Sequence, residues 1–449
     1  MEEYRRLAEA VAARIAAGRL RPGDRLPTQR AFAHRHRVAP STAGRVYAEL
    51  VRRGLVTGEV GRGTFVRAVE PPSGRPLTQP GAEEAEGADG AAVPVNLELN
   101  YPVVPGQAEA LSASLAPLLR PDVLAAATGT VSPRGTEAAR RAAAGLFGPD
   151  ADPDRVLFAG NGRQAIAAAL ARAAPRGARV GVEPLTYPLV KEIAERLGRI
   201  LVPLPTDAYG ILPEAVRAQR PAALYVQPVL HNPTSRTTPK ARRAELAAVA
   251  AELDVPVIED RVWAFLREGE SPASEGDGSR TYVVDSLSKR LAPGLTVGLL
   301  YVPEGEAART DTALRTGGWS AARFPLEAAR RWLEDGTVAR LSEAKRRDAA
   351  ARQALVARHL APGFVIDTDP HAYYAWWELP PPWRADTFVA AARARGVAVT
   401  PGSAFAVPPY TAPRRVRLGL ASPEPDTLED ALERLAALAR SPVSGALSP

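Results

Sequence analysis

Apolar residues recur at helical spacing at the start of the chain, with Leu7, Val11, Ile15 and Leu20 along one side of a predicted first helix that the Pro-Gly turn of RPGDRLP ends. A second helix is predicted from Thr28, in N-cap position, to about His36. After a turn at Arg37 to Ala39, a third helix opens on Pro40, whose fixed φ suits the first helical position. It runs to about Arg53 with Val46, Leu50 and Val51 on its apolar side. Alternation then replaces the helical period. From Leu55 to Val66, apolar residues alternate around Gly58, Gly61 and Gly63, as in a two-stranded ribbon with a glycine-bearing tip. Three helices and a ribbon in this order have the spacing of a winged helix-turn-helix.

Periodicity disappears between Val69 and Val95, where Pro, Gly, Ala and Glu dominate, so residues 69–95 read as a linker between a head at 1–68 and a body at 96–449. In the body, apolar runs at Val156–Phe158, Val180–Val182, Ala223–Val226, Val255–Ile258, Tyr282–Val284 and Val297–Tyr301 alternate with Ala-rich helical stretches. Such alternation predicts an α/β multidomain protein whose large unit has a mainly parallel sheet.

Composition narrows the function classes. The 449 residues contain no Cys and five scattered His, which excludes disulfides and thiolate metal sites and leaves no metal-ligand spacing. No apolar run is long enough to span a membrane and the N-terminus is not an export signal, so a cytoplasmic protein is expected. The net charge of +7 is localised: residues 1 to 70 hold 14 Arg against 7 Asp or Glu, and the remainder is balanced. A basic head on a neutral body is the footprint of a nucleic-acid-binding module, although charge alone fits a solvated basic face equally well.

The runs LPTQRAFA, VAPSTAGRVYAELVRRGLV and GRGTFV resemble the winged head of the GntR superfamily over residues 1 to 68. The resemblance implies DNA contacts from Arg30, Ser41, Thr42, Arg45, Arg62 and Gly63. Arg30 and Arg62 are suited to phosphates, Ser41 and Thr42 lie at a helix N-terminus, and Arg45 has the length to reach guanine in the major groove. Relatives often carry Arg where this chain has Pro40, so one base contact common in the family is absent.

Lys289, in SLSKRLAPGLTVGLL, is one of four lysines among 57 cations. A primary amine condenses with an aldehyde where a guanidinium does not, and partial desolvation activates it. The segment resembles the pyridoxal-phosphate lysine motif of fold-type I, class I and II aminotransferases, a likeness that covers about residues 96 to 440. It implies Lys289 as the catalytic residue forming the aldimine with pyridoxal 5′-phosphate. Asp260, 29 residues earlier, is implied as partner of the pyridine nitrogen, Asn232, 28 residues before that, as donor to the ring hydroxyl, and Tyr187 as the stacking aromatic. Gly160 to Gln164, with Gly162, Arg163 and Gln164 in the binding set, forms a phosphate seat at a helix N-terminus, assisted by Ser286 and Ser288. Arg417 is implied as the grip on a substrate or effector carboxylate. Singly, Asp260 also reads as a helix cap, Asn232 as a turn residue and Tyr187 as core; their joint order and spacing favour the site.

Three positions depart from the aminotransferase pattern. The phosphate-binding Arg falls on Thr296, the ring-hydroxyl Tyr within Arg261-Val262-Trp263, and the Tyr of the partner-subunit loop on Thr130. These losses weaken the expected hold on the cofactor and argue against full transaminase turnover. A GntR-like head, a linker and an aminotransferase-like body together resemble the MocR-type, GabR-like transcription regulators. That resemblance implies a homodimer, double-stranded operator DNA as partner, and an amino acid or B6 vitamer as effector. Two alternatives stay open: an active aminotransferase with a vestigial head, and a regulator whose body is a cofactor-free dimerisation or ligand module.

Overall fold

One buried stripe on each of three helices builds the head. In the computed structural model, which describes residues 3–16, 19–20, 24–53, 55–59, 63–66, 95–267, 269 and 280–441, these are α1 (Glu3–Ala16), α2 (Gln29–His36) and α3 (Pro40–Arg52). Ala8, Val11 and Ile15 pack with Phe32 and Ala33, and with Ala43, Val46, Tyr47 and Leu50. Thr28 caps α2 by accepting from the Ala31 amide at 3.2 Å, and Arg37 ends it in a left-handed conformation, φ 53°. The wing is the antiparallel pair β1 (Val56–Glu59) and β2 (Gly63–Val66). Asp24 to Leu26 joins it as a third edge: the Leu26 amide donates to Thr64 O and the Val66 amide to Asp24 O.

Two details of the predicted head differ. Leu20 lies beyond α1, which ends at Ala16. Val51 is 49% exposed, because one residue past the buried Leu50 a helix has turned about 100° away from the core. The tip residues Gly61 and Arg62, and the linker up to residue 94, lie outside the described residues.

The body is organised by a seven-stranded sheet of β3 (Val156–Ala159), β4 (Arg179–Val182), β5 (Ile200–Pro203), β6 (Ala223–Val226), β7 (Val257–Asp260), β8 (Thr281–Ser286) and β9 (Gly298–Tyr301). The spatial order is β3-β9-β8-β7-β6-β4-β5. All neighbours pair in parallel except at β9, which runs antiparallel between β3 and β8. The central strands β6 and β7 and the terminal strand β3 are buried at every residue, which accounts for the unbroken apolar runs of β3 and β6. The strand expected at Val255 starts at Val257 instead, since the Val255 amide is used by Ala250 O at the end of the preceding helix and Pro256 has no amide proton to donate. The unpredicted β5 is a sheet edge, exposed or half-buried along its length although its residues Ile200 to Pro203 are all apolar.

A second layer is built on a four-stranded antiparallel sheet, β10 (Val365–Asp367), β11 (Tyr374–Glu378), β12 (Thr400–Pro401) and β13 (Arg415–Gly419), in the order β10-β11-β13-β12. Trp377, Trp383, Phe388, Leu428, Leu432 and Leu435 fill its core. Val95 and Asn96 pair in parallel with Val397 and Ala398, so the chain entering the body is tied to this C-terminal unit. Three further helices matter below: α4 (Gly162–Ala173), α5 (Leu287–Arg290) and α6 (Thr337–His359).

Candidate functional site

The residues that carry chemistry converge where parallel strands end, as is general for open α/β sheets. Asp260 is the last residue of β7, Gln227 follows β6, Ser286 closes β8, and α4 begins three residues after the end of β3. Between them and Arg417 of β13 lies a cavity of about 230 Å³, whose walls include Asn100, Tyr101, Gly162, Arg163, Tyr187, Asn232, Asp260, Val262, Trp263, Ser288, Lys289, Thr296 and Arg417.

Lys289 sits on the single turn of α5 with its amine 2.8 Å from Asn100 O, 4.2 Å from the Tyr101 ring centre and 5.2 Å from that of Trp263. Burial, and then the charges of Arg163, Arg417 and Lys345, hold its ammonium well below the usual lysine range. A buried amine that loses its proton this easily is a nucleophile at lower pH than an exposed lysine.

Asp260 is fixed on both oxygens. Oδ2 accepts from the Tyr225 hydroxyl at 2.6 Å and from Gln227 Nε2 at 2.9 Å, and Oδ1 accepts from the Val262 amide at 3.1 Å. Burial raises its carboxyl above the ordinary range while those three bonds oppose the shift. A cation placed against it from the cavity side, such as a protonated ring nitrogen, would hold it ionised. Sequence reading missed Tyr225 and Gln227, although polar groups two apart at the end of an apolar strand share a face and were a usable signal.

The phosphate seat is built at the start of α4. Asn161 caps the helix, its Oδ1 accepting from the Gln164 amide at 3.0 Å. Hydroxyls line the opposite side: Ser286 Oγ lies 3.0 Å from both Ser288 Oγ and Thr296 Oγ1, and it accepts from the Ser288 amide at 3.1 Å. Two glycines permit the close approach. A Cβ on Gly298 would lie 2.1 Å from Asn161 O, and one on Gly162 would lie 3.0 Å from Ser286 Cβ. Arg163 is hydrogen-bonded to the hydroxyls of Tyr101 and Tyr187, and burial pushes the Tyr187 phenol up to about 12, so it stays neutral. Gln164 does not reach the cavity; its Oε1 folds back to within 2.4 Å of where a Cβ on Gly160 would stand. Ser286 lies one layer behind the wall and acts on it through Ser288 and Thr296.

Arg417 is buried opposite this seat. Its Nη2 donates to Glu98 O at 2.5 Å and Thr400 Oγ1 at 3.2 Å, and Nη1 to Asn232 Oδ1 at 3.5 Å. Burial lowers the guanidinium to about 10, still cationic at neutral pH. Arg417 Nε and Asn100 Nδ2 are buried donors with no partner among the described residues. A carboxylate entering the cavity would relieve the cost of leaving them unpaired. A phosphate at one end, an aldehyde carbon at Lys289, a ring nitrogen at Asp260 and a carboxylate at Arg417 therefore fit the residues present.

In the head, Arg30 on α2 and Ser41 and Arg45 on α3 are exposed, and Thr42 is half-buried. Ser41 and Arg45 are four residues apart and share a helix face. The first turn of α3 carries no acidic residue. Gly63 opens β2 with φ +123°, a left-handed value, and a Cβ there would meet Arg25 Nε at 2.7 Å. Thr130 in the body is exposed and does not line the cavity.

The sheet order, the strand-end cavity and its buried lysine define a fold-type I aminotransferase scaffold joined to a winged helix-turn-helix. Residues 125–435 match the family described as aminotransferase class I and II, and residues 3–66 match the bacterial regulatory proteins of the gntR family. The chain belongs to the class I and II aminotransferase family and carries a GntR head, which is the MocR-type architecture. It is 28% identical over 447 residues to the uncharacterized HTH-type transcriptional regulator YdeF of Bacillus subtilis, covering 97% of this chain and 94% of that protein. It is 27% identical over 472 residues to the HTH-type transcriptional regulator TauR of Rhodobacter capsulatus, covering 96% and 95%. Its fold is that of LysN, an α-aminoadipate aminotransferase of Thermus thermophilus, with a TM-score of 0.70 at 20% identity over 79% of this chain and 93% of that one. No helix among the described residues is long and apolar enough to cross a membrane.

Proposed function

We propose that this chain is a DNA-binding transcription regulator whose body takes up pyridoxal 5′-phosphate and reads an amino-acid-like effector. The observation that carries the sensing half is the buried, easily deprotonated Lys289 sharing one cavity with Asp260, Arg417 and a glycine-bearing helix N-terminus. The cofactor would supply an aldehyde for covalent capture and an electron-poor ring. Lys289 would offer its free amine to that aldehyde, Asp260 would hold the ring nitrogen protonated, Tyr187 would cover the ring face and Asn232 would meet its hydroxyl. Arg163 and the hydroxyls of Ser288 and Thr296 would hold the phosphate in place of the arginine expected at 296, while Val262 would offer nothing to the ring hydroxyl. Arg417 orients the effector carboxylate, so that its amine approaches Lys289.

On the DNA side, Arg45 and Ser41 enter the major groove from α3, with Thr42 beside them, while Arg30, Arg62 and the wing at Gly63 hold the backbone. Residues 1–68 form the DNA-binding unit, 69–95 the linker and 96–449 the sensing and dimerising unit, in the cytoplasm. The homodimer reading is supported by an apolar groove lined by Val104, Leu111, Leu115 and Phe324 together with the exposed Val103, Leu119 and Leu295. Leu295 lies beside Thr296, so a partner covering the groove would also edge the cavity. Leu119→Asp should therefore shift the protein towards monomer in light scattering; an unchanged dimer would place the interface elsewhere.

The test of the whole reading is a mobility shift of a duplex from upstream of the protein's own gene, titrated with pyridoxal 5′-phosphate while the visible spectrum is recorded. A new band and a changed DNA affinity are expected together. If saturating cofactor alters neither, the body is not a B6 sensor. If the protein ignores DNA but releases keto acids from amino acids, it is an aminotransferase with a vestigial head.

A further inference from the structure

Two of the four lysines in the chain, Lys289 and Lys345, are buried against each other. Lys345, on α6, has no exposed surface. Its amine donates to Lys289 O at 3.0 Å and to Leu291 O at 2.7 Å. These carbonyls close α5, a helix of four residues that leaves its C-terminal acceptors without intrahelical donors. The negative end of the turn points at Lys345, which is where a cation is favoured.

We infer that Lys345 is a positioning residue for Lys289: it anchors the turn that carries Lys289 and holds the proton for which the two buried amines compete. The inference rests on the reading of Lys289 as the capturing amine. The surroundings decide which amine wins. Lys345 has two carbonyl acceptors, and Asp348 one turn along α6 favours its charged form. Lys289 has one carbonyl acceptor, Asn100 O, and faces the cations Arg163 and Arg417. The remaining charges nearby are accounted for. Arg290 on α5 pairs with Asp285 of β8 at 2.7 Å, and Arg352 on α6 pairs with Asp348 at 2.7 Å. The Tyr373 hydroxyl donates both to Lys345 O and to Asp348 Oδ2, each at 2.8 Å. Burial holds the Lys345 amine down to about 7, so it is charged below neutrality, where its charge disfavours a proton on Lys289. Removing that charge lets Lys289 retain its proton to higher pH.

The test uses the full chain without added cofactor. Lys289 is methylated with formaldehyde and cyanoborohydride across a pH series, and its peptide is quantified by mass spectrometry. Lys345→Met should move the pH midpoint of Lys289 reaction upward by about one unit, equivalent to roughly a tenfold slower reaction at a fixed pH below the midpoint. A lost structural anchor alone would lower the melting temperature without moving this midpoint. An unchanged midpoint in folded Lys345→Met protein would overturn the inference. Should that variant not fold, Asp348→Asn decides by the same measure, with a smaller upward shift expected and no shift overturning it. Because formaldehyde needs no phosphate seat, a lowered Lys289 midpoint in the unaltered protein, without a visible band on adding pyridoxal 5′-phosphate, would defeat the cofactor reading and leave the role of Lys345 intact.

Discussion

Deleting residues 1–68 is expected to abolish specific DNA binding, because 14 Arg against 7 acidic residues in the first 70 supply the protein's whole positive excess. Phosphate contacts made by such a head release counterions, so affinity of the full chain should fall steeply with salt. Within the head, Arg45→Ala and Arg30→Ala should behave differently. Arg45 is exposed on α3 four residues from Ser41, so its loss should cost about 1–3 kcal/mol against the correct base and relax sequence discrimination. Arg30, on α2, should weaken all duplexes alike and reduce the salt slope. The check is fluorescence anisotropy with specific and scrambled duplexes at several salt concentrations. Undiminished binding by the truncated chain would refute the assignment.

Lys289→Ala should eliminate the visible band that pyridoxal 5′-phosphate produces, and with it any cofactor-dependent change in DNA affinity. Among the described residues no other amine lines the cavity: Lys345 is turned away into the α5 carbonyls, and Arg163 and Arg417 are guanidinium groups. The sign of the pH dependence follows from the lowered Lys289 proton affinity. The free amine persists to lower pH than that of an exposed lysine, and capture is lost as pH falls through that lowered value rather than near the ordinary lysine range. Affinity depends separately on the seat. One charge-assisted hydrogen bond is worth about 1.5–3 kcal/mol, so Arg163→Ala should weaken uptake by roughly tenfold to more than a hundredfold. A band that survives in Lys289→Ala, located by borohydride reduction and peptide mapping, would assign capture to another residue.

The sequence by itself determined the order of elements and the identity of the reactive groups. Thr28, Pro40 and the alternation from Leu55 to Val66 are local signals, set by capping and side-chain period, and the helices and wing form where those signals stand. The strands β3, β6 and β8 were legible because both faces of a mainly parallel sheet are covered, which writes them as continuous apolar runs. Lys289, Asp260, Asn232 and Tyr187 could be named because the segments that carry them resemble the aminotransferase pattern, and their places at or after strand ends agree with a site built there.

Tertiary structure decided what no local pattern encodes. Asn100 and Tyr101 reach the cavity from a loop nearly 190 residues before Lys289. Arg417 meets Asn232 across 185 residues. Gln164, next to Arg163, turns back over Gly160 although it belongs to the same motif. Lys345 is the clearest case: on a helix written mostly in Arg and Ala it reads as surface charge, yet it is fully buried because α6 packs its amine under the open carbonyls of α5. Whether a lysine is solvated or holds another lysine in place depends on which acceptors the fold brings to it. That is a property of packing between distant segments, not of the residues on either side.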